Sequence, residues 1–120
     1  MIGVLVITIG IASVLIIRNK DQQGVQAEQT TVTVQISADA FTPQTVKINK
    51  GESVTWVNTD GKPHEVAADP FPSNSQLPSL KTQDALAQND SYTYTFDQKG
   101  TFTYHDPLNP LALKATVIVE

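Results

Sequence analysis

The sequence predicts an all-β sandwich of about seven short strands, preceded by one N-terminal helix. Three observations carry this. From Thr31 onward apolar residues alternate with polar ones, turn-forming residues separate the alternating runs at close spacing, and Met1 to Ile17 is apolar apart from glycine, Thr8 and Ser13. Alternation turns one face of each strand toward a core, and many short alternating runs separated by turns mean a sandwich or barrel.

The apolar run comes first. As a helix, its 17 residues reach roughly 26 Å, at the short end for a hydrocarbon layer ~30 Å thick. It has no polar face, so an amphipathic surface helix is disfavoured. Its place at the N-terminus makes residues 1–18 a transmembrane anchor, with a signal segment as the alternative. The small-residue site at Val25-Gln26-Ala27 lies far from the run and no basic residue precedes it, which favours the uncleaved anchor. Arg18 and Lys20 follow the run, and on the positive-inside rule they pull that flank toward the cytoplasm. Residues 19–30 are polar, glutamine-rich and aperiodic, a flexible tether.

The domain at 31–120 opens with Val32, Val34 and Ile36 alternating with Thr31, Thr33 and Gln35. Val46 and Ile48 form the next strand, Lys50-Gly51-Glu52 a turn, and Val54 and Trp56 the strand after it. His64-Glu65-Val66-Ala67 reads as a short strand. Tyr92, Tyr94 and Phe96 alternate with Thr93 and Thr95 up to a turn at Asp97-Gln98-Lys99-Gly100. Phe102 and Tyr104 follow, and Ala115 to Val119 closes the domain. Between them, Asp69 to Asn89 carries Pro70, Pro72 and Pro78. Proline cannot donate to a ladder, so this is a long excursion, with one helical turn expected at Asp84-Ala85-Leu86-Ala87. The expected core is Val32, Val34, Ile36, Val46, Ile48, Val54, Trp56, Val66, Tyr94, Phe96, Phe102, Tyr104, Val117 and Val119. A slip of one residue would exchange these for polar neighbours, so clean alternation fixes the register.

Composition excludes several functions. The formal net charge is −4, and beyond position 30 six lysines face ten acids. No basic stripe exists, which argues against nucleic acid. The chain has no cysteine, which rules out disulfides, cysteine-zinc sites and cysteine nucleophiles. No glycine-rich nucleophile turn or phosphate-cradling loop is present, so an enzyme is not expected. Asn89-Asp90-Ser91 matches a glycosylation acceptor by composition alone.

Phe41-Thr42-Pro43, Gly51 with Val54-Thr55-Trp56-Val57-Asn58-Thr59-Asp60, and Pro63-His64-Glu65-Val66 carry a family resemblance. Gly100-Thr101-Phe102-Thr103-Tyr104, Asn109-Pro110 and Thr116-Val117-Ile118-Val119-Glu120 continue it. Over residues 31–120 the chain resembles a cupredoxin, of the plastocyanin and azurin superfamily, which implies a Greek-key β-sandwich. The family's copper site takes a histidine, a cysteine, a second histidine and usually a methionine. A metal cycling between two oxidation states suits a soft thiolate with two imidazoles and a weak axial ligand. Here His64 matches the first position, Asp106 stands at the cysteine, Asn109 at the second histidine, and Ala112 or Leu113 at the methionine. The chain is most similar to bacterial cupredoxin-like domains with a Tyr-His-Asp-x-x-Asn-Pro segment, through Tyr104-His105-Asp106, Asn109-Pro110 and Asp69-Pro70. Pro107 and Phe71 replace histidines of that subgroup.

This degenerate type 1 copper site leaves three readings of its polar residues. In the first, His64, Asp106 and His105 are metal ligands, an imidazole and carboxylate set suited to Cu(II) or Zn(II). In the second, His64 and Asp106 form a hydrogen-bonded pair without metal, the carboxylate raising the imidazole pKa. In the third they are solvated and unrelated. With Phe102 and Tyr104 inward, Asp106 points inward and His105 the other way, so His105 also reads as an exposed strand-end residue. Asp69 and Glu65 are further oxygen donors, and Trp56 reads as core. The apolar run makes the expected protein membrane-anchored, and the resemblance implies a domain on the extracytoplasmic face, binding copper weakly or through an altered non-thiolate site. It is not a blue-copper electron carrier. The alternative is a metal-free scaffold that meets an unknown protein partner through the Asp69–Asn89 loop.

Overall fold

A computed structural model describes residues 31–120; the expected anchor at 1–18 and tether at 19–30 lie outside the described residues. Eight strands form: β1 Thr31–Ile36, β2 Phe41–Thr42, β3 Thr45–Ile48, β4 Ser53–Asn58, β5 Ala67–Ala68, β6 Ser91–Thr95, β7 Gly100–His105 and β8 Lys114–Val119. They build two four-stranded sheets, in the order β2-β1-β4-β6 and β3-β8-β7-β5. Parallel pairing of β1 with β4 and of β3 with β8 sits beside antiparallel neighbours. The described residues contain no helix long and apolar enough to cross a membrane.

The alternation decides which side chains enter. In β1 and β4 every second residue is buried, from Val32 through Ile36 and from Val54 through Asn58. Trp56 and Tyr104 meet edge to face at 5.4 Å, and Phe41 meets Tyr104 at 4.8 Å, tying the two sheets through interlocked rings. The expected core residues are buried as read, except that Tyr94 is only half-buried. It lies on β6, an edge strand, where one flank is not closed by a neighbour.

Three details differ from the sequence reading. Phe41 and Thr42 make a short strand of their own, antiparallel to the end of β1, which raises the count to eight. The expected strand at His64–Ala67 shrinks to Ala67–Ala68, with His64 making an isolated bridge to Leu86. The expected helical turn at Asp84–Ala87 is absent for the same reason. Leu86 donates to the His64 carbonyl at 2.8 Å and accepts from its N–H at 3.2 Å, which holds the Leu86 side chain buried.

Because β1 and β4 run parallel, their ends Ile36 and Asn58 lie at one pole, and Thr31 and Ser53 at the other. The first pole also receives His64, the end of β7 and the loop from Asp106 to Leu113. The site therefore lies at the pole opposite the entry of the chain at Thr31.

Candidate functional site

Asp106 leaves β7 one residue after the strand ends and turns into the core, its relative exposure 0%. A buried carboxylate requires donors, and this one has three. Oδ1 accepts from the backbone N–H of Glu65 at 3.0 Å and of Leu108 at 2.8 Å, while Oδ2 lies 2.6 Å from His64 Nδ1. The loop is braced by Asn109 N–H donating to the Asp106 carbonyl at 2.8 Å and by Asp106 N–H donating to Leu113 at 3.0 Å. A carboxylate thus organises the turn where a thiolate could take no such bidentate role.

The other His64 nitrogen is also taken. Nε2 lies 2.8 Å from Asp60 Oδ2. Both ring nitrogens face acceptor-only carboxylates, an arrangement fully satisfied by the doubly protonated imidazolium. Burial lowers the tendency of the ring to carry charge, but the hydrogen bonds to Asp60 and Asp106 and the attraction of both carboxylates outweigh it. The His64 pKa is raised above its ordinary value. The hydrogen bond to His64 in turn holds the Asp60 carboxyl below its ordinary value.

Asn58 sets Asp60 in place. Its side chain is fully buried, accepts from Asp60 N–H at 2.8 Å, and donates to the carbonyls of Lys62 and Leu86 at 2.8 Å each. Neither Asn58 nor Asp60 was singled out as a site residue from sequence. The signal for Asp60 was its place four residues before His64.

His105 points to the other face of β7, as strand geometry requires, and it is buried rather than exposed, at 1%. Its Nδ1 donates to Asp69 Oδ1 at 2.6 Å, and Phe71 covers the ring edge-on at 5.6 Å. The excursion after β5 folds over it. Its Nε2 is buried with no partner among the described residues. Asp69 therefore serves His105 and not the His64 site, while Glu65 reaches Asp106 through its backbone N–H. Of the three residues expected as metal ligands, the fold joins His64 to Asp106 and sends His105 elsewhere.

The donor set does not fit a type 1 copper. That centre needs a thiolate, and the chain has no cysteine. A nitrogen and an oxygen sharing one ion at ~2.0–2.1 Å in tetrahedral geometry stand roughly 3.3 Å apart. The 2.6 Å between His64 Nδ1 and Asp106 Oδ2 is the length of a charge-assisted hydrogen bond. No group of three or more histidine, aspartate or glutamate side chains placed to hold a metal ion occurs among the described residues.

Around this pole three large apolar side chains are exposed: Phe71 at 52%, Leu108 at 52% and Leu111 at 89%. Two of them lie on the loop that Asp106 organises, and the third lies over His105.

Comparison with known proteins gives a consistent result. The cupredoxin-like domain family matches residues 5–119. A plastocyanin of Scenedesmus fuscus is 38% identical over 97 residues, covering 74% of this chain and 99% of the plastocyanin. Amicyanin-alpha of Methylorubrum extorquens is 30% identical over 95 residues, covering 79% of this chain and 76% of the amicyanin. Among solved structures, the amicyanin of Paracoccus versutus superposes with a TM-score of 0.63 at 28% identity, over 81% of this chain and 86% of that protein.

Proposed function

This chain belongs to the cupredoxin-like domain family, and from that premise we propose that it keeps the family's sandwich as a metal-free scaffold for contact with a protein partner. The observation that carries the proposal is the Asp60–His64–Asp106 relay. Each ring nitrogen and each oxygen of the buried carboxylate already has a protein partner. The pole is built as a charged, hydrogen-bonded pin, and a metal ion would have to break that pin to bind. One-electron transfer through a thiolate copper has no chemical basis in a chain without cysteine.

The contact surface in this reading is the apolar rim of Phe71, Leu108 and Leu111, held at fixed positions by the relay and by the His105–Asp69 pair. The first of these belongs to the Asp69–Asn89 excursion; the other two belong to the loop after β7. The apolar run at 1–17 supports a membrane anchor, and this reading places the domain on the extracytoplasmic face. Since Thr31 enters at the opposite pole, an anchored domain presents the rim away from its point of attachment.

Copper titration tests the scaffold reading. The full chain in detergent is titrated with Cu(II) while its melting temperature is followed. We expect no copper-dependent rise, whereas a folded-state ligand at a hundredfold excess over Kd stabilises by about 2.7 kcal/mol. A rise that His64→Ala abolishes would establish an altered nitrogen and oxygen copper site at His64 and Asp106 and overturn the metal-free reading.

A further inference from the structure

We propose that β6 is a self-pairing edge through which two copies of this chain join antiparallel, centred on Thr93, into one continuous sheet. The four edge strands of the two sheets differ sharply. β2 has two residues and runs into Pro43. β5 has two residues and is covered by the chain at Leu80 and Lys81, which bond and bridge to it. β3 places Lys47 at its exposed face, and this lysine pairs with Glu120 at 3.7 Å. Short length, proline, cover and lysine are the devices by which proteins blunt sheet edges. β6, Ser-Tyr-Thr-Tyr-Thr, has none of them.

Its backbone is open toward solvent. Asn58 N–H donates to the Asp90 carbonyl and Phe96 N–H to the Glu52 carbonyl, in register with the Trp56–Tyr92 and Val54–Tyr94 pairs. In an antiparallel ladder the hydrogen-bonding direction alternates residue by residue. Even-numbered residues of β6 therefore bond to β4, and Ser91, Thr93 and Thr95 direct their N–H and C=O groups outward. None of these outward groups has a partner among the described residues, and all three residues are exposed. The neighbouring excursion hydrogen-bonds to Tyr92 and Tyr94 through their hydroxyls, at Lys81 N and Ser79 Oγ. It stands off from the strand across a groove bordered by Lys81, Asp84, Asp90 and Ser91.

The sequence of β6 selects a second copy as the occupant. About a two-fold axis at Thr93, Thr93 meets Thr93, Ser91 meets Thr95, and each outward N–H faces an outward C=O. Hydroxyl rows already cross the outer face of this sheet, with Ser53 to Thr95 and Thr55 to Thr93 at 2.7 Å each. Pairing extends these rows across the axis, and cross-strand hydroxyl pairs are favourable. The flanking charges do not collide, because Asp90 falls opposite Phe96 and Asp97 opposite Asn89. The antiparallel arrangement sends the two Thr31 ends to opposite poles. Twelve residues, 19–30, span up to about 40 Å when extended, so two copies anchored in one membrane can meet this way.

The absence of native cysteine makes the test direct. Thr93→Cys is introduced into the full chain in detergent and exposed to mild oxidant, with Thr33→Cys, on the same sheet face but two strands inward, as the control. Residues opposed in a hydrogen-bonded antiparallel pair stand ~5.5 Å apart at Cα, within the ~4.4–6.8 Å a disulfide requires. We expect Thr93→Cys to form disulfide-linked dimer about tenfold faster than Thr33→Cys, because docking raises the effective thiol concentration. In a mixture, Ser91→Cys should link to Thr95→Cys in preference to itself. Equal rates at positions 33 and 93, or no dimer at either, would overturn the proposal, and preferential Ser91–Ser91 linkage would overturn its register. Sedimentation of the Thr93→Lys chain supplies a check that needs no disulfide: it should be monomeric where the unaltered chain is dimeric, and an unchanged dimer refutes the β6 interface.

Discussion

The two histidines of this domain stand one strand-end apart and are treated in opposite ways. His64 has both nitrogens bonded to carboxylates, one of them fully buried. His105 is equally buried but has a single bond, to a carboxylate that is partly exposed, and a second nitrogen with no partner among the described residues. The first arrangement joins two chain segments, since Asp60 and His64 share the connection between β4 and β5 while Asp106 comes from the turn after β7. The second fastens one excursion to the outer face of one strand. Burial alone therefore does not tell which histidine holds the fold; the number and exposure of its partners does.

The largest expected effect is at Asp106. Asp106→Ala removes a buried partner from a charged ring and from two backbone N–H groups at once. Breaking such a pair costs about 3–5 kcal/mol, which urea unfolding would register. A loss below about 1 kcal/mol would put the pin among ordinary surface ion pairs and erase the difference between the two histidines. A smaller effect is expected at His105. His105→Leu removes one hydrogen bond and also an unsatisfied buried nitrogen, while Asp69 turns to water, so the cost should stay near 1 kcal/mol. If it equals that of Asp106→Ala, the two histidines are equivalent after all.

The smallest effect is the dependence of stability on pH, and its sign is fixed by the direction of each shift. His64 holds its proton more tightly folded than unfolded. Its contribution is complete below its ordinary 6.5 and is lost as pH climbs through its raised folded value. Asp60 acts in reverse: its contribution is complete above its ordinary 3.8 and is lost as pH falls through its lowered folded value. Denaturation midpoints followed upward from pH 6.5 should fall for the unaltered chain and fall less for His64→Gln. A midpoint that rises with pH from 6.5 upward would contradict a His64 that holds its proton more tightly in the folded chain.

Most of the sandwich was legible because the cue was local. Val32 to Ile36, Val54 to Trp56 and Val117 to Val119 alternate cleanly, and a period of two has one consistent burial. Proximity of His64 and Asp106 followed from the family resemblance, not from spacing, since 42 residues separate them. What stayed illegible was non-local. The sequence around Leu86 fits a helical turn because nothing nearby shows its bridge to His64. The burial of His105 is hidden from the sequence because the cover supplied by Asp69 and Phe71 comes from a proline-rich excursion without periodicity. The role of Asp60 is equally hidden, because it depends on Asn58, whose partners are spread over loops.

Asn58 has one more consequence. Its own N–H and C=O bind Asp90 and Asn89, while its amide side chain engages Asp60, Lys62 and Leu86. Two excursions distant along the chain thus share one rivet, and neither can loosen without stretching the other. In deuterium the amides of Asp60 and Asn89 should exchange together and at one rate, as parts of a single opening event.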